Sequence, residues 1–106
     1  MDTSKAKVRS RQQIIDYINS NKERFRSEYH VHRIALIGSF AREEQRAESD
    51  IDLLLDLERG TPDIYAVKRK LKQELEVQFG RPVELASERY LKPFYKEQIL
   101  QDAIYV

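Results

Sequence analysis

The sequence predicts an α+β fold, a small mixed β-sheet covered by helices. Two apolar, β-branched runs, HRIALIG (residues 32–38) and SDIDLLLDLE (residues 49–58), read as strands, and a shorter one, VELAS (residues 83–87), follows them. Stretches with apolar residues at helical spacing flank and separate these runs. The resulting order is helix, strand, turn, strand, helix, strand, helix.

Each element has a local reason. Ser10 and Gln13 stand three apart, as in a capping box. Ile14, Ile15, Ile18, Phe25 and Tyr29 then share one stripe, predicting a helix over roughly residues 11–28. The run 32–38 ends at glycine and reads as a buried strand. Ser39 follows, and the polar residues 40–47 suggest a short helical turn before a second strand near Ser49. Thr61, Pro62 and Asp63 supply a capping hydroxyl, a proline for the first helical position and a first-turn acid. Ile64, Val67, Leu71, Leu75 and Phe79 line one face of that helix, and Gly80 is its expected stop. VELAS comes after Arg81 and Pro82. Pro93 opens a last helix through about Ala103, with Phe94, Ile99, Leu100 and Ala103 or Ile104 inward.

Composition bounds the function. A chain of 106 residues fits one domain, here residues 1–106, with residues 1–10 expected to form a flexible basic N-terminus. The formal net charge of +1 argues against a protein built mainly to grip nucleic acid through its backbone, and no sequence-specific nucleic-acid contact is expected. There is no cysteine, hence no disulfide framework. No apolar run of about 18 residues offers a membrane span, and no apolar stretch makes the basic start a secretory signal. A cytoplasmic location is the default expectation.

The chemistry concentrates between Gly38 and Asp56. Side chains alternate along a strand, so Asp50 and Asp52 project to one side while Ile51, Leu53, Leu55 and Leu57 can enter the core. Two carboxylates roughly 7 Å apart on one face can converge on a hard divalent cation such as Mg²⁺, which takes one or two protein carboxylates and completes its shell with water and phosphates. Asp56 shares the phase but lies about 13 Å further along and reads as a solvated strand-end acid. Gly38 lets backbone approach a phosphate closely, and the Ser39 hydroxyl can donate to one. Taken singly, these features describe a polar strand start and a capped turn. Together they place an anion cradle beside a cation site, the arrangement that nucleotidyl transfer requires. His30 and His32 alternate without a third ligand nearby and read as edge or surface histidines. Tyr90, Tyr95 and Tyr105 read as core or partner-contact aromatics.

The stretch GSFAREEQRAESDIDLLLDLE resembles the signature of the DNA polymerase β-like nucleotidyltransferase superfamily, glycine–serine followed by an Asp-x-Asp strand. The short chain, the leading helix and the ending ILQDAIYV resemble its minimal branch, the MNT proteins. The resemblance implies the polymerase β-like core, Mg²⁺ as cofactor and ATP as substrate. Gly38, Ser39 and Arg42 would then contact the nucleotide, and Asp50 and Asp52 the metal. A third carboxylate is expected on the next core strand, and Glu84 matches its position both as metal ligand and as base toward the acceptor hydroxyl. Aspartate is commoner there, and Glu43 stands where the family's loop often has glycine. The branch further implies an antitoxin that binds a HEPN-domain ribonuclease toxin in a hetero-oligomer and silences it by transferring AMP from ATP to a toxin tyrosine. Two alternatives stay open: a catalytically weakened protein that neutralises its partner by binding alone, and a transferase acting on a small molecule such as an antibiotic.

Overall fold

A computed structural model describes residues 7–106. Its elements run α1 (Arg11–Ser20), α2 (Lys22–Tyr29), β1 (Val31–Ile37), α3 (Gly38–Ala41), β2 (Ile51–Leu57), α4 (Ile64–Phe79), β3 (Val83–Ser87), a 3₁₀ turn (Glu88–Tyr90), α5 (Pro93–Asp102) and β4 (Ile104–Tyr105). The four strands form one mixed sheet in the order β3-β2-β1-β4, with β1 antiparallel to β2 and β4, and β2 parallel to β3. The predicted α+β class, a small mixed sheet covered by helices, is the one observed.

Strand alternation divides the core between the two sheet faces. Ile51, Leu53 and Leu55 join Ile34 and Leu36 in the larger cluster, which Ile14, Ile18, Phe25, Leu71, Leu75 and Phe79 complete from α1, α2 and α4. On the opposite face Ala35, Ile37 and Leu54 form a smaller cluster, packed by Ile99 and Leu100 of α5 and by Ala103. A fully buried Leu, Ile or Phe stabilises the fold by about 1.5–3 kcal/mol, so the larger cluster dominates stability. Asp52 shares its phase with Leu54 and therefore faces the α5 side.

Several local expectations hold. The Ser10–Gln13 capping box forms, Gly80 ends α4 in the left-handed conformation at φ 66°, β3 covers VELAS and Pro93 begins α5.

Others need correction. The single first helix breaks at Asn21, which caps α1 by donating to Ile18 O and whose side-chain amide turns back to the Tyr17 carbonyl. The cap of α4 is Asp63, not Thr61: Asp63 sits at φ 48° and its carboxylate accepts from the Ala66 amide, while Thr61 folds back to donate to the Glu58 carbonyl. Ile64 and Phe94, assigned inward, are 42% and 71% exposed. Ile104 belongs to β4, where it pairs with Leu36. Of the flexible stretch expected at residues 1–10, residues 1–6 lie outside the described part. Within residues 7–10, Val8 is buried and its amide donates to Phe79 O at 3.0 Å, while Lys7 and Arg9 are exposed.

Candidate active site

The end of the sheet where β1 passes into α3 is built around a close backbone approach. Gly38 has φ +75°, and an ideal Cβ built on it would lie 2.4 Å from Asp52 Oδ2 and 3.1 Å from Asp52 Cβ. Only glycine leaves the Asp52 carboxylate that space. Asp52 pairs with Ile37 across β1 and with Glu84 across β3. Neighbouring strands lie about 4.8 Å apart, so this parallel register sets the two acids side by side.

These groups line one cleft of about 640 Å³: Ile37, Gly38, Arg42, Asp52, Leu53, Glu84 and Ala86 on one side, with Gln98, Ile99, Gln101 and Asp102 from α5. The structure thus gathers Gly38, Arg42, Asp52 and Glu84. Asp50 is an exposed residue just before β2, and neither it nor the half-buried Ser39 lines the cleft. Asp50 still acts on Asp52 electrostatically. Burial raises the Asp52 pKa, the negative charges of Asp50 and Glu84 raise it further, and Arg42 opposes them. Arg42 pairs with Glu44 at 3.0 Å and approaches Asp102 at 3.9 Å.

The donor set suits a hard divalent cation. Asp50, Asp52 and Glu84 offer carboxylate oxygens, and among the described residues none is engaged in an ion pair. Among the described residues, no three His, Cys, Asp or Glu side chains already stand together as a metal cage. The Gly38 backbone meets the Asp52 carboxylate directly.

The nucleotidyltransferase-domain family model matches residues 18–106, which includes all of this geometry. The chain belongs to that family. As a nucleotidyltransferase it is 33% identical over 95 residues to "Putative protein adenylyltransferase MJ1379" of Methanocaldococcus jannaschii, covering 89% of this chain and 95% of that one. It is 27% identical over 95 residues to "Protein adenylyltransferase MntA" of Thermococcus cleftensis, with 90% and 94% covered. A solved structure described as a "putative minimal nucleotidyltransferase" superposes with a TM-score of 0.77 at 30% identity, covering 93% of this chain and 98% of that one. The minimal-branch resemblance therefore holds. A toxin–antitoxin structure with AMP-PNP shares the fold, with a TM-score of 0.63 at 21% identity over 90% of this chain and 70% of that one.

One contribution to the candidate cleft escapes sequence reasoning. The α5 residues Gln98, Gln101 and Asp102 line the cleft; Gln101 and Asp102 fall within the ending ILQDAIYV, but nothing in that stretch marks them as facing a site. Away from the cleft, Asp56 is not the solvated acid expected: its side chain is 14% exposed and takes His32 Nδ1 at 3.0 Å and Arg89 Nη2 at 3.2 Å. Burial alone would raise its pKa, but the contacts with His32 and Arg89 outweigh that and lower it.

Proposed function

We propose that this nucleotidyltransferase is a Mg²⁺-dependent protein adenylyltransferase, the antitoxin of a HEPN–MNT pair, which moves AMP from ATP to a tyrosine of the HEPN toxin in the cytoplasm. The observation that carries the reading is the in-register pair Asp52–Glu84 facing a cleft whose wall at Gly38 has no room for a side chain. Names and assemblies of relatives support the acceptor: two relatives are named protein adenylyltransferases, and the fold neighbours include toxin–antitoxin complexes.

Asp50, Asp52 and Glu84 would hold the metal, which when bound neutralises phosphate charge and orients the triphosphate. Gly38 admits phosphate close to the backbone, and the Ser39 hydroxyl donates to it. Arg42 exchanges its Glu44 and Asp102 contacts for phosphate oxygens. Glu84 takes the proton from the tyrosine hydroxyl as the acceptor oxygen attacks the α-phosphorus and pyrophosphate leaves.

The test is incubation with Mg²⁺, ATP labelled on the α-phosphate and the cognate HEPN protein. Label on a partner tyrosine that disappears in Asp52→Ala supports the reading. Neutralisation of the partner that survives Asp50→Ala and Asp52→Ala without label would instead establish binding alone, and label on an aminoglycoside a small-molecule acceptor.

A further inference from the structure

Arg81 is 6% exposed, and no carboxylate pairs with it among the described residues. Its guanidinium is spent on backbone carbonyls. Nε donates to Val8 O at 2.8 Å, and Nη1 lies 3.2, 3.1 and 2.8 Å from the carbonyls of Arg46, Ala47 and Ser49. The guanidinium carbon sits 5.0 Å over the Phe40 ring, within α3 and one residue beyond Ser39.

Burying a cation against dipoles alone is costly, and an apolar side chain of similar volume would fill the space more cheaply. What the guanidinium adds is geometry. The Ser49 carbonyl, on the peptide bond entering Asp50, is held by Arg81. The Ile51 amide, on the peptide bond leaving Asp50, donates to Pro82 O at 2.9 Å. Asp50 is therefore clamped on both sides by the Arg81–Pro82 pair, two residues ahead of Glu84. The leading segment straps the same loop directly as well, because Lys7 Nζ donates to Ala47 O at 3.0 Å and Gln45 Nε2 to Arg9 O at 2.9 Å.

We infer that Arg81 is a positioning residue for nucleotidyl transfer: through its hydrogen bonds to the loop carbonyls it fixes Asp50 relative to Asp52 and Glu84, and it ties the chain's first described residues to the site. The inference rests on the transferase reading for its activity arm, while its loop arm is independent of that reading. Lysine keeps the charge but not the planar fork that spans several carbonyls.

The experiment compares wild type, Arg81→Lys and Arg81→Ala in Mg²⁺/ATP transfer and in amide hydrogen exchange. Misplacing a metal-binding carboxylate lowers kcat about 10- to 100-fold, with KM for ATP expected within about threefold of wild type. Exchange at residues 46–50 speeds up in both variants while β1 and α4 keep their protection, and millimolar guanidinium restores both kcat and protection to Arg81→Ala. If Arg81→Ala does not fold, Arg81→Lys decides the matter. Wild-type kcat and loop protection in Arg81→Lys overturn the inference, as does a loss of protection spread evenly over the fold without rescue. Should wild type itself transfer nothing, the proposed function fails, and the exchange data alone decide the role of Arg81.

Discussion

A methyl group at Gly38 would meet Asp52 Oδ2 at 2.4 Å on a backbone already at φ +75°. Gly38→Ala combines overpacking with a conformation L residues avoid, a cost of about 1–3 kcal/mol, and it displaces a site carboxylate. Transfer is expected to fall below detection while circular dichroism keeps the native helix signal. Asp52 itself is held with its pKa raised, by burial first and then by Asp50 and Glu84. A raised carboxyl pKa means the folded state binds its proton more tightly than the unfolded chain. The ionised form therefore weakens the fold, and the weakening grows as pH rises through the folded pKa. Asp52→Asn should abolish transfer yet raise Tm at neutral pH by about 2–4 °C, a gain that Mg²⁺ added to wild type would narrow. Glu43 occupies a left-handed conformation, φ 57°, that favours glycine, and its carboxylate pairs with Arg11 at 2.9 Å on the surface. Removing strain of about 1 kcal/mol outweighs losing an exposed ion pair. Glu43→Gly is thus expected to leave Tm unchanged or slightly higher. By removing a negative charge near the phosphate loop, it should also lower KM for ATP about two- to fivefold, measured in steady-state transfer.

The helices carry their own polar junction. Glu74 on α4 accepts from Tyr17 at 2.7 Å, Tyr29 at 2.8 Å and Arg24, joining α1 and α2 to α4. The hydrogen bond from Arg24 is the main reason its pKa falls to about 2, and burial opposes the fall. Burial, then Glu74, pushes Tyr17 up to about 12. Because the folded pKa of Glu74 is depressed, its stabilisation is present above the unfolded value of 4.5 and lost as pH falls toward about 2. Glu74→Gln should lower stability at neutral pH by about 1–3 kcal/mol and flatten the acid limb between those values, read from urea midpoints against pH. None of this junction was legible in the sequence, since its members are up to 57 residues apart. What was legible was local: the Ser10–Gln13 box, the Gly80 stop and the VELAS strand all depend on neighbours within a few residues. The break at Asn21 was hidden because the apolar stripe keeps its phase through Ile18 and Phe25, both buried. Asp56 was misread because its partners lie 24 and 33 residues away.

At the scale of the molecule, the α+β class was legible because each apolar run pointed to a buried strand and each stripe to its cover. The closing strand was not, because β4 is two residues long and gains its identity from β1. Ile104 and Val106 pack on the main core, and the Val106 amide donates to Ile34 O at 3.1 Å. A chain ending at Ala103 would lose about 2–4 kcal/mol and uncover the β1 edge. Its expected signature is a lower chemical-denaturation midpoint with concentration-dependent association in sedimentation. Of the residues that line the cleft, Gly38, Arg42, Asp52 and Glu84 are those the sequence singles out by motif. It could not place α5 opposite them, because that packing depends on Ile99 and Leu100 meeting the face of Leu54.

The pairing of Asp52 with Glu84 also bears on which length changes the chain can absorb. Extra residues between Leu57 and Ile64 only lengthen a mostly exposed connection before α4, leaving every β2 and β3 side chain on its present face. One residue added between Pro82 and Glu84 would swing the carboxylate into the core side that Val83 now fills. Natural insertions and deletions should therefore be tolerated in the crossover and purged from the few positions where odd and even decide between solvent chemistry and hydrophobic packing.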